Sequence, residues 1–322
     1  MRTIDTYTSS RRPPLPQTTG NGLFVTDGGL ETELVFHHGI DLPCFAAFPL
    51  LDDPARRARL RDYYDEYVAI ARKFDAGFIV ETPTWRANPD WATALGYSAE
   101  QLVAVNRSAV ALAEEVRTAA TAQGITAVVS GCVGPRGDGY DPGVAMTPEQ
   151  AQEYHAVQIG TFASTTADQV TAITITNAEE AIGIVRAAEA AGMPSAISFT
   201  VETDGRLPTG QPLREAIEQV DDATHAGAAY FMVNCAHPAH WAPALHDDGA
   251  WRNRLVGLRA NSSAKSHAEL DEATELDEGD PVELGAQYVT QRDRLPAVRV
   301  LGGCCGTDAR HVAAIVSAWR TN

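Results

Sequence analysis

The sequence predicts an α/β fold, a single-domain (β/α)8 TIM barrel, on the basis of three observations. Short apolar, β-rich runs alternate with longer helical patterns from residue 23 onward. Eight such runs occur, and nearly all of them are separated by enough residues for a crossover helix. A length of 322 residues suits one closed barrel, although length alone would also allow two domains.

An open, doubly wound parallel sheet is the alternative to the barrel. Such a fold usually binds phosphates at a G-x-G-x-x-G loop that follows its first strand. The only glycine-rich candidate for that loop, SGCVGPRGDG, does not have this spacing. We therefore favour the barrel.

The predicted strands are the apolar runs themselves, most of which are followed by a polar or small residue. In chain order they are Leu23–Gly29, Ala76–Thr82, Ile125–Cys132, Gln169–Thr176, Ser195–Val201, Ala228–Cys235, Arg254–Ala260 and Ala297–Gly303.

Helical spacing and helix start signals fill the intervals between these strands. One apolar face recurs at steps of three and four residues, the spacing of a buried helical stripe: Leu60, Tyr64, Tyr67, Ala71 and Phe74. Ser98 opens a capping-box pattern, Thr147 precedes a proline at the first helical position, and Asn177 caps a helix that stops at Gly192. We interpret the acidic stretch Glu269–Glu283 as the solvated face of a helix before the last strand.

Residues 1–22 include basic residues but no apolar segment of the kind that a secretory signal needs. We interpret 1–22 as a flexible N-terminal segment and 23–322 as the barrel domain. No stretch approaches 18 uninterrupted apolar residues, so no transmembrane helix is expected. Five cysteines spread along the chain indicate reduced thiols and a cytoplasmic location rather than a disulfide framework.

The acidic charge balance restricts the classes of partner. The chain has 25 Lys and Arg against 42 Asp and Glu, a formal net charge of −17. This charge argues against nucleic acid and against an anionic membrane surface, and it favours small neutral, zwitterionic or cationic ligands. A homo-oligomer remains open.

Adjacent cysteines between glycines, in LGGCCGTDARH, suggest a metal site. The active site of a TIM barrel lies at the carboxyl ends of its strands. Cys235 ends the sixth predicted strand, and Cys304 and Cys305 follow the eighth, so all three are expected on one face of the barrel. Three thiolates suit a tetrahedral zinc ion whose fourth position stays open for a ligand.

Other interpretations of these residues remain open at this stage. The adjacent pair could be two core thiols or a strained vicinal disulfide. The stretch NCAHPAH also offers His237 and His240 for a mixed Cys/His site. Cys44 and Cys132 are given no ligand role.

The motifs that surround these cysteines resemble those of the homocysteine S-methyltransferase family, zinc-dependent thiol methyltransferases that use betaine or S-methylmethionine among other donors. The resemblance covers roughly residues 22–318. It rests on TDGGLETEL, AGFIVETPTWRAN, VVSGCVGPRGDGY, ISFTVETDGRLPTGQPL, MVNC and LGGCCGT, which occur in this order.

The resemblance implies that Cys235, Cys304 and Cys305 hold zinc and that Asp27 and Gly28 contact the amino-acid part of a thiol substrate. It implies transfer of a methyl group from a sulfonium or betaine-like donor to a small thiol, homocysteine above all, to give methionine. No organic cofactor is expected. Asn234, in the Asn-Cys signature, and Asn261, after the seventh strand, are further candidates for substrate binding.

The sequence departs from the family's pattern at the predicted substrate site. Ile173 stands where many relatives carry an acidic residue that holds the ammonium group of the substrate. Glu81 is the first candidate for the missing carboxylate, or for binding a cationic donor, and Glu202 is the second. Trp85, Trp91 and Tyr140 are candidates for an aromatic wall around a cation.

Three alternative functions are kept. The first is the same chemistry on a different thiol. The second is a zinc hydrolase that uses metal-bound water, although such enzymes usually rely on histidine and carboxylate ligands. The third is a thiol- or metal-binding barrel without turnover.

Overall fold

Eight parallel strands close into a barrel in this protein, whose computed structural model describes residues 12–143, 145–246 and 248–321. Each strand pairs with its neighbours in chain order, and the last strand pairs with the first. The strands are β1 Phe24–Val25, β2 Gly77–Glu81, β3 Ala127–Val133, β4 Gln169–Ile175, β5 Ser195–Phe199, β6 Tyr230–Asn234, β7 Leu255–Ala260 and β8 Val300–Gly303. The prediction of a TIM barrel is confirmed.

A helix follows each strand and packs on the outside of the barrel. These helices are α1 Pro54–Lys73, α2 Ala99–Ala122, α3 Pro148–Ala163, α4 Ala178–Ala190, α5 Leu213–Thr224, the short α6 Pro238–Trp241, α7 Pro281–Thr290 and α8 Ala309–Thr321. Shorter helical segments lie in the connections: Pro16–Thr19, Leu30–Thr32, Glu33–His37, Pro43–Phe45, Phe48–Asp52, Pro89–Ala94, Ala244–His246, Ala250–Arg254, His267–Asp271 and Arg292–Arg294.

The helix start signals act as the sequence predicts. Ser98 and Thr147 each complete a capping box with the glutamine three residues later. The side chain of Asn177 accepts a hydrogen bond from the backbone N–H of Glu180 at the start of α4. After α4 the chain reverses at Gly192, whose φ of +66° suits a residue without a side chain.

The strands are buried on both faces, which explains why their sequences are apolar runs rather than alternations. All seven residues of β4, for example, are buried. On α1, Leu60, Tyr64, Tyr67 and Ala71 of the predicted stripe are buried, and Phe74 packs partly buried against the same core. The apolar core between helices and strands therefore stabilises the barrel. The loops, rather than this core, surround the carboxyl ends of the strands.

The segment before β1 differs from the expected flexible lead-in over the residues that can be described. Residues 1–11 lie outside the described part of the chain, but Leu15 and Gln17 are buried, and Pro16–Thr19 forms one helical turn. Leu15 joins an apolar cluster that includes Phe24 of β1 and Val300 of β8. Leu15 therefore packs against apolar side chains of the barrel, and the Gln17 amide donates a hydrogen bond to Gln169. The domain boundary at residue 22 stays a prediction.

The acidic stretch is not one helix, contrary to the interpretation of its sequence. Helix His267–Asp271 ends early, and α7 begins only at Pro281. Between them Gly279 adopts a φ of +57°, and Asp280 caps α7 by accepting hydrogen bonds from two backbone N–H groups. Because a left-handed glycine, an N-cap and a proline follow one another here, a continuous helix cannot form. The loop between the two helices covers the carboxyl end of the barrel instead.

Within the residues described, no helix has both the length and the apolar character that a membrane crossing requires.

Prediction for the N-terminal segment: Gln17→Ala should lower the free energy of unfolding by about 1 to 3 kcal/mol. The Gln17 amide donates to Gln169 Oε1 at 2.8 Å, and both side chains are fully buried, so the substitution removes a buried hydrogen bond and the packing of the Gln17 side chain. Urea unfolding measures the effect. Gln152→Ala, at a half-buried position on α3, is the matched control and should change stability by less than about 0.5 kcal/mol. Equal effects of the two substitutions would contradict the prediction.

Candidate active site and metal centre

A cavity of about 380 Å³ opens at the carboxyl ends of the strands. This volume lies within the range of small-molecule sites. Its walls come from the ends of several strands and from the loops that follow β1, β3 and β7. The predicted site residues on the wall are Asp27, Gly28, Glu81, Cys235, Cys304 and Cys305.

Three cysteine sulfur atoms meet on the wall of this cavity. The Sγ atoms of Cys235 and Cys305 lie 3.7 Å apart, and the Sγ atoms of all three cysteines lie within 4.8 Å of one another. Ligands at about 2.3 Å from a tetrahedral zinc ion would be separated by roughly 3.8 Å. The donor set therefore fits a metal ion of this kind, and it leaves one side of the cluster facing the cavity.

Two residues with positive φ angles set the backbone around these sulfurs. Cys235 has a φ of +51°, and Gly306, directly after the cysteine pair, has a φ of +77°. The turn is also held from the β1 side: a Cβ on Gly29 would lie 2.5 Å from the carbonyl oxygen of Cys304. The glycines of the first and last motifs therefore serve the close approach of these two loops.

The protons of the three thiols are shared within the cluster. Hydrogen bonds from Cys304 and Cys305 lower the pKa of the Cys235 thiol. The hydrogen bond with Cys235 in turn raises the pKa of both Cys304 and Cys305.

Asn234 is not on the cavity wall, in contrast to its predicted contact with substrate. Its side chain is fully buried, and Oδ1 accepts hydrogen bonds from the Thr174 backbone N–H at 2.9 Å and from the Ser198 hydroxyl at 2.6 Å. Its amide nitrogen donates to Thr174 Oγ1 and contacts Cys304 Sγ at 3.7 Å. Because every polar atom of this side chain faces β4, β5 or β8, Asn234 positions the ends of those strands.

Three other candidates are not among the residues that line the cavity. Asn261 is buried, and its backbone N–H donates to Ala236 O. His237 is the N-cap of α6, and burial lowers its pKa to about 4. His240 bonds to the carbonyl oxygen of Ala264 at 2.9 Å. Neither histidine belongs to the sulfur cluster, so the mixed Cys/His site is wrong.

A stacked pair of rings lies beside the sulfur cluster. The Tyr140 hydroxyl donates to Cys235 Sγ at 3.8 Å and to Cys305 Sγ at 3.7 Å. Its ring stacks on His267, with ring centroids 4.0 Å apart. His267 in turn bonds to the Cys235 carbonyl oxygen at 2.8 Å and to Glu202 at 3.0 Å. Glu202 therefore acts on the site only through His267.

An arginine and an aspartate form a buried ion pair on the same wall. Arg259, at the end of β7, donates to Asp27 Oδ1 at 2.6 Å and to Gly303 O at 3.0 Å. Asp27 Oδ2 accepts a hydrogen bond from the Tyr63 hydroxyl at 3.2 Å. Both carboxylate oxygens of Asp27 are thus already bonded within the protein.

Two further carboxyl groups line the cavity in a desolvated setting. Burial raises the pKa of Glu81 and of Glu31 to about 7 each. Glu81 Oε2 has no hydrogen-bond partner within the described residues. On β4, an irregularity in pairing next to Thr174 brings Ile173 onto the cavity wall.

The predicted aromatic wall is only partly formed. Trp85 and Tyr140 line the cavity, and Trp85 is held by a hydrogen bond to the carbonyl oxygen of Ile173 at 3.0 Å. Trp91 is not on the wall; the Arg86 guanidinium lies 3.9 Å from its ring centroid. Cys132 lines the cavity outside the sulfur cluster, and Cys44 is exposed.

Sequence reasoning missed Arg259 and His267. An arginine near the end of an otherwise apolar run, RLVGLRA, is the signal that could have revealed the first, because arginine is seldom fully buried without a partner. His267 lies in a polar loop, and no local pattern marks it.

The family model described as homocysteine S-methyltransferase matches residues 24–319. No curated protein sequence matches the chain.

Solved structures of similar fold include three forms of the homocysteine methyltransferase MmuM from Escherichia coli. The metallated form is 23% identical with a TM-score of 0.71, and the oxidized form is 22% identical with a TM-score of 0.73. The apo form is 22% identical with a TM-score of 0.65. In each case the alignment covers 93% of this chain and 96% of the other. At this level of identity the likeness concerns the fold.

Prediction for the metal: the purified protein should hold about one metal ion per chain, and Cys305→Ser should lose it. Removing one sulfur leaves two protein ligands, too few for tight binding. Elemental mass spectrometry measures the metal, and circular dichroism checks that the variant is folded. Cys132→Ser, in the same cavity but outside the cluster, is the matched control and should keep the metal. A full metal complement in folded Cys305→Ser would refute the ligand assignment.

Prediction for Glu81: Glu81→Gln should stabilise the protein at pH 8 but not at pH 5. The folded-state pKa of Glu81 is raised from 4.5 to about 7, so the wild type loses stability as pH rises through this interval and the carboxylate becomes charged in a buried site. The gain at pH 8 should be about 1 to 3 kcal/mol. Urea unfolding at both pH values measures it, with the exposed Glu153→Gln as control. A stability difference that does not depend on pH would contradict this account.

Proposed function

Because the chain belongs to the homocysteine S-methyltransferase family, we propose that it methylates homocysteine to methionine with a sulfonium or betaine-like donor and with zinc as its metal. The chain is a methyltransferase by family. The thiol, the donor and the identity of the metal are the parts that we propose. The observation that carries the proposal is the convergence of three cysteine sulfurs on a cavity of small-molecule size.

Cys235, Cys304 and Cys305 are the residues that would hold the metal. When bound by three thiolates, a zinc ion would supply a fourth position where a substrate thiol loses its proton at neutral pH. The Tyr140 hydroxyl lies against two of these sulfurs, and burial together with the charge of Cys235 raises its pKa. It therefore stays a hydrogen-bond donor, and it shields the sulfur cluster from one side.

The methyl transfer itself is an in-line displacement. The substrate sulfur forms a bond to the methyl carbon while the bond from that carbon to the donor's sulfur or nitrogen breaks. The electron pair stays with the donor heteroatom, which thereby loses its positive charge. The contribution of the protein to the rate is to hold the two reactants at about 3 to 3.5 Å in a cavity with little room for water.

Binding roles follow from the cavity wall. Asp27, Gly28 and Glu81 are proposed to surround the amino-acid part of the thiol. The ring of Trp85 and the carboxyl group of Glu31 are proposed to receive the cationic donor, because an aromatic face and a carboxylate both attract a desolvated cation. Asn234 and Asn261, which do not line the cavity, are given no direct contact in this proposal.

A second candidate substrate is a thiol other than homocysteine. Ile173 favours it, because β4 presents this apolar side chain to the cavity where an ammonium-binding carboxylate is expected. The zinc hydrolase and the barrel without turnover are set aside, since the family is one of methyltransferases.

Prediction for activity: the zinc-loaded protein should convert homocysteine to methionine with at least one of S-methylmethionine, S-adenosylmethionine and glycine betaine. Mass spectrometry of methionine formed from a donor with a deuterated methyl group measures the transfer. Cys305→Ser should lower the rate at least about a thousandfold, because the substrate thiol is then not activated. Cys44→Ser, at an exposed position, is the control and should retain the wild-type rate. Absence of labelled methionine with every donor would refute homocysteine as the substrate.

A further inference from the structure

We propose that Arg259 and Glu81 together bind the zwitterionic head of the thiol substrate, the guanidinium through the substrate carboxylate and Glu81 through the substrate ammonium group. The inference rests on the proposed function and adds the residues that select an α-amino acid among small thiols. Asp27 then acts by positioning Arg259 rather than by contacting the ammonium group.

Arg259 is anchored but not fully bonded. Its Nε donates to Gly303 O at 3.0 Å, and its Nη2 donates to Asp27 Oδ1 at 2.6 Å and to Gly28 O at 3.4 Å. Among the described residues, nothing accepts a hydrogen bond from Nη1. These bonds fix the plane of the guanidinium on the cavity wall, with the side chain only 7% exposed. A fixed guanidinium with one free N–H edge is a binding group for a carboxylate.

Each oxygen of Asp27 is already engaged within the protein. One oxygen accepts from Arg259 and the other from Tyr63. The positive charge of Arg259 also compensates the negative charge of Asp27, so this carboxylate attracts a cation only weakly. Its bonds define a positioning role.

Glu81, unlike Asp27, has a carboxylate oxygen without a hydrogen-bond partner among the residues described. It is 5% exposed, lines the cavity, and leaves Oε2 without a hydrogen-bond partner within the described part of the chain. A buried carboxylate oxygen without a partner costs free energy unless a ligand supplies a donor. An ammonium group supplies both the donor and the compensating charge.

The two groups line the same cavity and do not form an ion pair with each other. Arg259 is the largest charge that acts on Glu81, yet no ion pair within 4.0 Å joins them. The charge of Arg86 acts on Glu31, a half-buried carboxyl on the same wall. Glu81 and Arg259 are therefore the pair that can bind the two charges of a single amino acid, beside the sulfur cluster.

The experiment compares three thiols that differ only in their charged groups. Homocysteine has both groups, 4-mercaptobutyrate lacks the amino group, and 3-mercaptopropan-1-amine lacks the carboxylate. Binding to the zinc-loaded protein without donor is measured by calorimetry, and methyl transfer is measured in parallel. We expect the wild type to bind homocysteine at least about tenfold more tightly than either analogue.

Each variant should remove the contact with one charged group of homocysteine and leave the contact with the other. Glu81→Gln should weaken homocysteine about 10- to 100-fold and change 4-mercaptobutyrate less than about threefold. The double variant Asp27→Asn with Arg259→Gln, which avoids an unpaired buried charge, should weaken homocysteine similarly and spare 3-mercaptopropan-1-amine. Glu33→Gln is the matched control, because Glu33 is a buried carboxyl off the cavity wall, and its ratios should equal those of the wild type.

The outcomes separate this inference from the function on which it rests. All variants are compared at equal zinc content, so that weaker thiol binding caused by loss of the metal is not mistaken for loss of a contact with the substrate. If the wild type binds homocysteine but Glu81→Gln or the double variant weakens all three thiols equally, the assignment of Glu81 and Arg259 is overturned and the proposed function stands. If the wild type binds and methylates none of the three thiols, the proposed function itself fails.

Discussion

The meeting of three sulfur atoms depends on the closure of the barrel. Cys235 follows β6 and the cysteine pair follows β8, so the sulfurs approach one another because β7 pairs with both strands. Cys235 also holds a left-handed backbone conformation, which costs about 1 to 2 kcal/mol for a residue with a side chain. The bonds of Asn234 to the ends of β4, β5 and β8 stabilise this end of the barrel against relaxation.

A second constraint is the amount of charge that the same end of the barrel buries. Hydrogen bonds offset the desolvation cost of the buried Asp27–Arg259 ion pair. Glu81, in contrast, is buried without a comparable partner. Groups of this kind weaken a fold, and their concentration beside the sulfur cluster is typical of a site where ligand binding compensates them. The proposed metal, thiol and donor would therefore share one electrostatic environment rather than three separate subsites.

The sequence predicted features that local patterns encode. The eight strands, the caps at Ser98, Thr147 and Asn177, and the three cysteines on one face all follow from periodicity and from the rule that active sites lie at strand carboxyl ends. The direction of a side chain at a strand end was not predictable, because it depends on long-range packing. Asn234 turns into the strands, Arg259 reaches across to β1, and Gln17 enters the barrel from a segment that local patterns marked as flexible.

A ribosome-bound chain that has reached β7 has made Cys235 but neither Cys304 nor Cys305, and its sheet still has open edges at β1 and β7. A lone thiol has little affinity for a metal ion, so such a nascent chain has no centre that could trap the wrong metal early. Capture of an ion by the proposed three-cysteine site would thus require the last strand to be in place. Occupancy of the proposed metal site would then report a closed barrel.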